Sequence, residues 1–324
     1  MNKNKIIELQ AELKIFFLLK FDEKEFDNSF LDFENSNNLN FNSIYASLKK
    51  NLKSIISTVT LPEIMSKSRA LFVIFDNILK RELILSTKLE LDDNTSGEER
   101  LKREQERKSK AYEDAHRLFF EEVKTENGKD EYWFLSFQFI KDLSEGQPFL
   151  EAAKELINQS TLSLWTSFEV FCRDCFVTLL NQQNDFVSKL LENPTLKQKF
   201  NLKNVPIEKL VEFNCDLSQN MGNVLIDTFE FSNLDIIKTI YKQFFQNEKL
   251  RKLLDNNDLW LLFKRRNLIV HKSGIVDKQY LETTNDILPL GSKLYITPEE
   301  FVIYLELVKE IAFEIKNEIK NKCA

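Results

Sequence analysis

Hydrophobic residues recur along this chain mostly at helical spacing. Ile6, Ile7, Leu9, Leu13, Phe16 and Phe17 predict a helix over 3–21, and Ile44, Leu48, Leu52, Ile55 and Ile56 a second over 41–58. Thr60-Leu61-Pro62-Glu63 restarts a helix in capping-box fashion, and Phe72, Phe75, Ile78, Leu79 and Leu83 carry it to about Leu89. Residues 98–124 read as a mixed-charge helix and 132–143 as a short aromatic one. Leu164, Phe168, Phe171, Cys175 and Leu179 make Phe149 to Asn181 one long helix. Pro194, Pro206 and Gly222 break 185–232 into short helices and loops, after which Ile237, Tyr241, Phe244 and Phe245 predict a single helix over 234–254. Thr297-Pro298-Glu299-Glu300 opens the last helix, 298–321, with Thr at the N-cap, Pro at N1 and Glu at N3. Residues 275–294 read as mostly loop, with 293–296 the one credible strand. The Asn-rich stretch 22–40 and Asp92 to Gly97 read as connections. Gly146-Gln147-Pro148 marks a boundary between two helical units, 1–147 and 148–324. The fold class is all-α.

One stretch strains against its pattern. Asp258 to Gly274 reads as a helix that is apolar on most of its surface, through Leu259, Trp260, Leu261, Leu262, Phe263, Leu268, Ile269 and Val270. Into it the sequence sets Arg266, Asn267 and His271, and Gly274 ends it. Burying Arg and His is costly unless they are paired or used. Five residues at about 100° each separate Arg266 from His271 by about 140° around a helix, whereas Asn267 and His271, four apart, share a face. His271 lies near the helix C-terminus, where a cation interacts favourably with the helix dipole, so it leans toward an acid role or transition-state stabilisation.

Arg266-Asn267-x-x-x-His271 resembles the Arg-x(4–6)-His motif of the HEPN superfamily, in its form with Asn after the Arg. Residues 164–181 are similar to that superfamily's preceding long helix. Lys272 to Tyr280 and the Leu-Tyr-Ile-Thr-Pro-Glu-Glu segment before the last helix resemble its RiboL-PSP-like branch. The resemblance covers roughly 148–324. It implies a HEPN-like helical bundle that dimerises through the motif helix, and in many members a metal-independent endoribonuclease. In that branch it further implies a prokaryotic toxin or anti-phage defence role. Superfamily members often carry an acidic residue on the long helix, for which Glu169 and Asp174 are the candidates to orient Arg266.

Composition narrows the setting. The 324 residues are 43% hydrophobic and 30% charged, with six Gly and six Pro, a globular composition poor in tight turns. A net charge of −6 argues against strong non-specific nucleic-acid affinity but leaves room for a local basic site, to which Arg265 and Lys272 beside the motif would contribute phosphate contacts. The four cysteines, with no signal-peptide pattern and no long apolar run, point to a soluble, cytoplasmic protein with no membrane partner. Cys172-x-x-Cys175 lacks a second pair for zinc and reads as two core residues. His116, the other histidine, reads as a surface or partly buried residue of the first unit.

There is no Gly-rich phosphate loop, no G-x-S-x-G and no metal-ligand spacing, so no cofactor or metal is expected. Cleavage of RNA by its own 2′-OH needs a base, an acid and a cation for the charged phosphorane. His can take either proton-transfer role and Arg grips phosphate oxygens in two-pronged fashion. The expected catalytic residues are therefore Arg266, His271 and Asn267. One motif His per chain against two proton-transfer roles implies a homodimer with a composite cleft. The expected partners are an RNA substrate, a second copy, and a cognate antitoxin or defence-system protein. The alternative is a non-catalytic HEPN-like interaction module that binds a partner protein or nucleotide. In that case Arg266 pairs with an acid of the bundle and His271 caps the helix.

Overall fold

The computed structural model describes residues 3–19, 26, 39–87, 97–200, 207–226 and 231–323. The Asn-rich stretch (apart from Phe26, Asn40 and Leu39), the polar stretch 92–96 and Pro206 lie outside the described residues. The described chain is helical. Its helices are α1 (Lys3–Leu13), α2 (Leu39–Val59), α3 (Leu61–Thr87), α4 (Gly97–Glu122), α5 (Glu126–Ser144) and α6 (Gln147–Gln182). Four short helices follow: α7 (Asn184–Glu192), α8 (Pro194–Lys199), α9 (Ile207–Glu212) and α10 (Met221–Leu225). The rest are α11 (Leu234–Phe244), α12 (Glu248–Leu254), α13 (Asn257–Lys272), α14 (Lys278–Thr284) and α15 (Pro298–Cys323). Among the described residues the only β pairing is one isolated bridge, Ile275 with Lys293, which is all that remains of the expected strand.

The chain divides into two compact units, 1–21 with 59–153 and 22–58 with 154–324. Neither is continuous in sequence. The division falls inside α6, after Ala153, and not at Pro148, and α2 goes to the second unit up to Thr58.

In the first unit α3 packs on α4 and α5, and α1 packs on α5. Ile6, Leu9, Leu13, Phe137 and Ile140 form one core, and Ile74, Ile78 and Ala115 a second. The charged half of α4 is solvated and carries i,i+4 pairs, Arg103 to Glu99 at 3.0 Å and Lys108 to Glu104 at 2.6 Å. His116 is exposed on α4, with the Phe75 and Tyr112 rings each 4.7 Å away.

In the second unit the core is aromatic. Trp165, Phe168 and Phe176 of α6 are fully buried, as are Phe301, Leu305, Val308, Ile311, Ala312 and Ile315 of α15. Tyr45 of α2 packs tilted against Phe171, ring centroids 6.1 Å apart. Cys172 and Cys175 are fully buried core residues, and burial pushes both thiols well up. The helix expected over 234–254 is broken. Phe245 takes extended backbone and Asn247 caps the new helix α12 by accepting from Leu250 N at 2.9 Å. The cap offsets the backbone bonds lost at the break, and Asn247 Nδ2 also donates to Glu314 Oε2 of α15 at 3.0 Å, a partner distant in sequence that the apolar stripe does not reveal.

The capping box before α15 is complete: Thr297 N donates to Glu300 Oε2 at 2.9 Å and Glu300 N donates to Thr297 Oγ1 at 3.2 Å. The segment leading into it is held by Asn158 of α6. That buried amide donates to Leu294 O at 3.0 Å and accepts from Ile296 N at 3.1 Å, as a neighbouring strand would. Replacing Asn158 with Ala leaves both backbone groups buried and unpaired, so Asn158→Ala is expected to lose about 3 kcal/mol of stability in urea titration. A loss below about 0.5 kcal/mol would mean that water or a shifted backbone replaces the tether.

Candidate functional site

The motif helix α13 begins at the Asn256 cap, whose side chain accepts from Asp258 N at 2.7 Å. It ends in a left-handed turn, Ser273 at φ 53° and Gly274 at φ 76°, with Gly274 N returning to Leu268 O at 3.1 Å. Positive φ at Gly274 costs little because it has no Cβ. One face of α13 packs on α15, and Phe263 meets Trp165 of α6 at 5.2 Å between ring centroids.

Arg265 was expected to be a phosphate contact and is not placed as one. It is 6% exposed and its guanidinium is consumed inside the unit. Nη1 donates to Glu300 Oε1 at 2.5 Å and to the Tyr304 hydroxyl at 3.0 Å. Nη2 donates to Asp286 Oδ2 at 3.3 Å, and Nε approaches the Tyr280 hydroxyl at 3.4 Å. The Tyr280 hydroxyl donates in turn to Asp286 Oδ2 at 2.9 Å. Burial raises the pKa of Tyr280 and of Tyr304, so both phenols stay neutral. Asp277 caps α14 by accepting from Tyr280 N at 2.8 Å, a helix where the sequence reads as loop.

Arg266 and Glu169 come together. Arg266 Nη2 lies 3.9 Å from Glu169 Oε2, with both side chains 19% exposed. Trp165 Nε1 donates to the same Glu169 oxygen at 3.2 Å, so a tryptophan one turn earlier on α6 positions the acid. Burial holds the Glu169 carboxyl above its ordinary pKa, against Arg266, Trp165 and Arg173, which favour the carboxylate. Asp174 is not brought to the motif. It pairs with its neighbour Arg173 at 2.8 Å. Asn267 Oδ1 accepts from Arg266 Nη1 at 2.9 Å, so its partner is the motif arginine.

His271 is exposed. With Asn267, Lys264 and Lys272 from α13, and Asp277 and Gln279 from the next segment, it lines a cleft of about 210 Å³. Lys272 is exposed and pairs only loosely with Asp277, at 3.9 Å. Arg266 does not line this cleft, in keeping with its angular separation from His271. Trp165 was missed by sequence reasoning, although its i,i+4 spacing to Glu169 was a readable signal.

The RiboL-PSP-HEPN family model matches residues 134–321, more than half of the chain. The chain belongs to this family. No curated protein and no solved structure matches it. The HEPN match starts within α5 and takes in α6, the motif helix and nearly all of α15, so every residue of the candidate site falls inside it. No described helix is long and apolar enough to cross a membrane.

The two cations beside this HEPN motif, Arg265 and Lys272, should separate cleanly by stability. Arg265→Ala strips a buried cation from Asp286 and Glu300 and is expected to cost about 3 kcal/mol. Lys272→Ala should change stability by less than about 0.5 kcal/mol. Thermal or chemical unfolding of the two variants checks this, and an Arg265→Ala protein as stable as wild type would overturn the buried-network assignment.

Proposed function

We propose that this HEPN-family chain is a metal-independent endoribonuclease of toxin or defence type. Family membership supports an RNA-related role. The observation that carries the reading further is the placement of His271, exposed in a cleft with Asn267 and two lysines, while Arg266 is held by Glu169 around the side of the same helix. A histidine in a cleft edged by cations can exchange protons with a ribose hydroxyl or a leaving 5′-oxygen. Arg266, on exchanging Asn267 and Glu169 at its two Nη groups for phosphate oxygens, offers the two-pronged cation for the phosphorane. The 2′-OH attacks its own phosphate, the 5′-oxygen leaves with a proton, and the products are a 2′,3′-cyclic phosphate and a 5′-OH.

Because Arg266 and His271 of one chain do not line the same cleft, the reading includes a two-fold dimer in which motif helices face each other and the second copy completes the site. It includes a cytoplasmic setting and a restraining partner such as an antitoxin. Glu169 is a positioning residue for Arg266, not a catalytic one.

Purified wild type should cut cellular RNA in excess EDTA and leave cyclic-phosphate ends. His271→Ala, at an exposed position, should fold and associate normally but fail to cut. Arg266→Ala should lower the rate about 10²–10³-fold. Equal cutting by wild type and His271→Ala would place the activity elsewhere. No cutting by a folded, dimeric wild type would favour a module that binds a partner protein or nucleotide.

Glu169 adds a pH dependence. Its raised pKa means that, as pH falls, it takes up a proton earlier than a surface carboxylate and releases its hold on Arg266. The rate should therefore fall on an acid limb displaced upward from the ordinary carboxylate range. Glu169→Gln should be slower at neutral pH and lack that limb. An unchanged pH–rate profile in Glu169→Gln would remove the residue from the site.

A further inference from the structure

We infer that the groove between α2 and α6 is a base-reading subsite for single-stranded RNA beside the cleavage site. The inference rests on the ribonuclease reading above and specifies the surface that would select its substrate. The groove has a volume of about 470 Å³, and among the described residues no charged side chain lines it. A phosphate would find no counter-charge there, so the groove suits a neutral polar group.

Its walls carry the amides of Asn51 and Gln159 and the hydroxyls of Ser54, Ser163 and Thr166, with Ile55 and Leu162 as apolar surface. Amide and hydroxyl side chains match the donor and acceptor edges of a nucleobase, and the two aliphatic residues can cover a base face. Gln159 donates its Nε2 to Glu155 at 2.8 Å, which leaves its carbonyl oxygen as an acceptor.

Ser160 sets this groove apart from a run of small helix residues. It lines the groove, is 3% exposed, and its Oγ makes no hydrogen bond. Its neighbours on α6 turn back on the helix instead. Ser163 donates to Gln159 O at 3.1 Å, Thr166 to Leu162 O at 3.0 Å and Ser167 to Ser163 O at 2.8 Å. A buried hydroxyl left without a partner is uncommon unless something outside the chain supplies the bond.

The groove also leads to the motif. Gln159, Leu162, Ser163 and Thr166 share a face of α6 with Glu169, and Thr166 precedes Glu169 by about 4.5 Å along the helix axis. Glu169 holds Arg266. An RNA whose phosphate sits on Arg266 can therefore lay a neighbouring unpaired base in the uncharged groove.

The test uses full-length protein and a fluorescent RNA oligonucleotide with 2′-O-methyl ribose throughout, which cannot undergo 2′-OH attack. Four versions differ at one base. Wild type should distinguish them. Ser163→Trp, which fills the groove from an exposed position, should bind about tenfold more weakly and lose the distinction. Thr166→Gln serves as a milder second variant should Ser163→Trp fail to fold. Mapping of cut sites should show a base bias in wild type that these variants lose while still cutting. Should wild type cut and the variants keep its bias and affinity, the subsite falls and the ribonuclease reading stands. Should wild type not cut but bind the oligonucleotide through the groove, the ribonuclease reading fails while the groove stands as an RNA-binding surface. A shift of the variants from dimer to monomer in sedimentation, with RNA binding unchanged, would overturn the inference by making the groove a protein interface.

Discussion

The guanidinium of Arg265 is the constraint on which the motif region depends. A buried cation is tolerated only when its hydrogen bonds are met, and here Glu300, Tyr304, Asp286 and Tyr280 meet them. Those partners come from α14, the loop after it and α15, so one side chain ties the motif helix to everything that follows it. The rotation of α13 is set in consequence. With Arg265 pointing inward, about 100° per residue puts Arg266 to the side, and Asn267 and His271 at about 200° and 240°, facing outward. That is the arrangement found: Arg266 beside α6 and the other two in an open cleft.

Two adjacent arginines thus do different work. Arg265 spends its donors on structure, and Glu300 serves twice, with one oxygen in the capping box of α15 and the other on Arg265. Arg266 keeps a looser grip, 3.9 Å from a half-buried acid whose own proton affinity is raised by burial. A cation held this way keeps a defined direction, and in the proposed reaction it would exchange its partner for a phosphate. Trp165 contributes through geometry alone, by fixing the Glu169 oxygen that faces Arg266.

The acidic net charge and the proposed RNA chemistry are compatible because the cations are local. Lys264 and Lys272 border one cleft beside His271, whereas the many charges of α4 largely neutralise each other along their own helix. The neutral groove along α6 adds a second kind of surface, one that attracts no phosphate but offers hydrogen bonds. Discrimination among substrates is better served by such groups than by charge, which binds every nucleotide alike.

Much of this was legible in the amino-acid order. Helical spacing placed nearly all the long helices, since an apolar stripe of period 3.6 has few other uses. The capping box at Thr297 and the motif itself are local patterns, and so is the angular separation of Arg266 from His271. What the sequence could not settle was which residues of a pair turn inward. Arg265 and Arg266 look alike in one dimension, and so do Glu169 and Asp174. Only the packing of α13 against α6 and α15 buries Arg265 among acids and phenols and sets Glu169 beside Arg266, leaving Asp174 to Arg173. The break at Phe245, the tether from Asn158 and the groove beside Ser160 likewise depend on partners distant in sequence, and such contacts exist only once the helices are assembled.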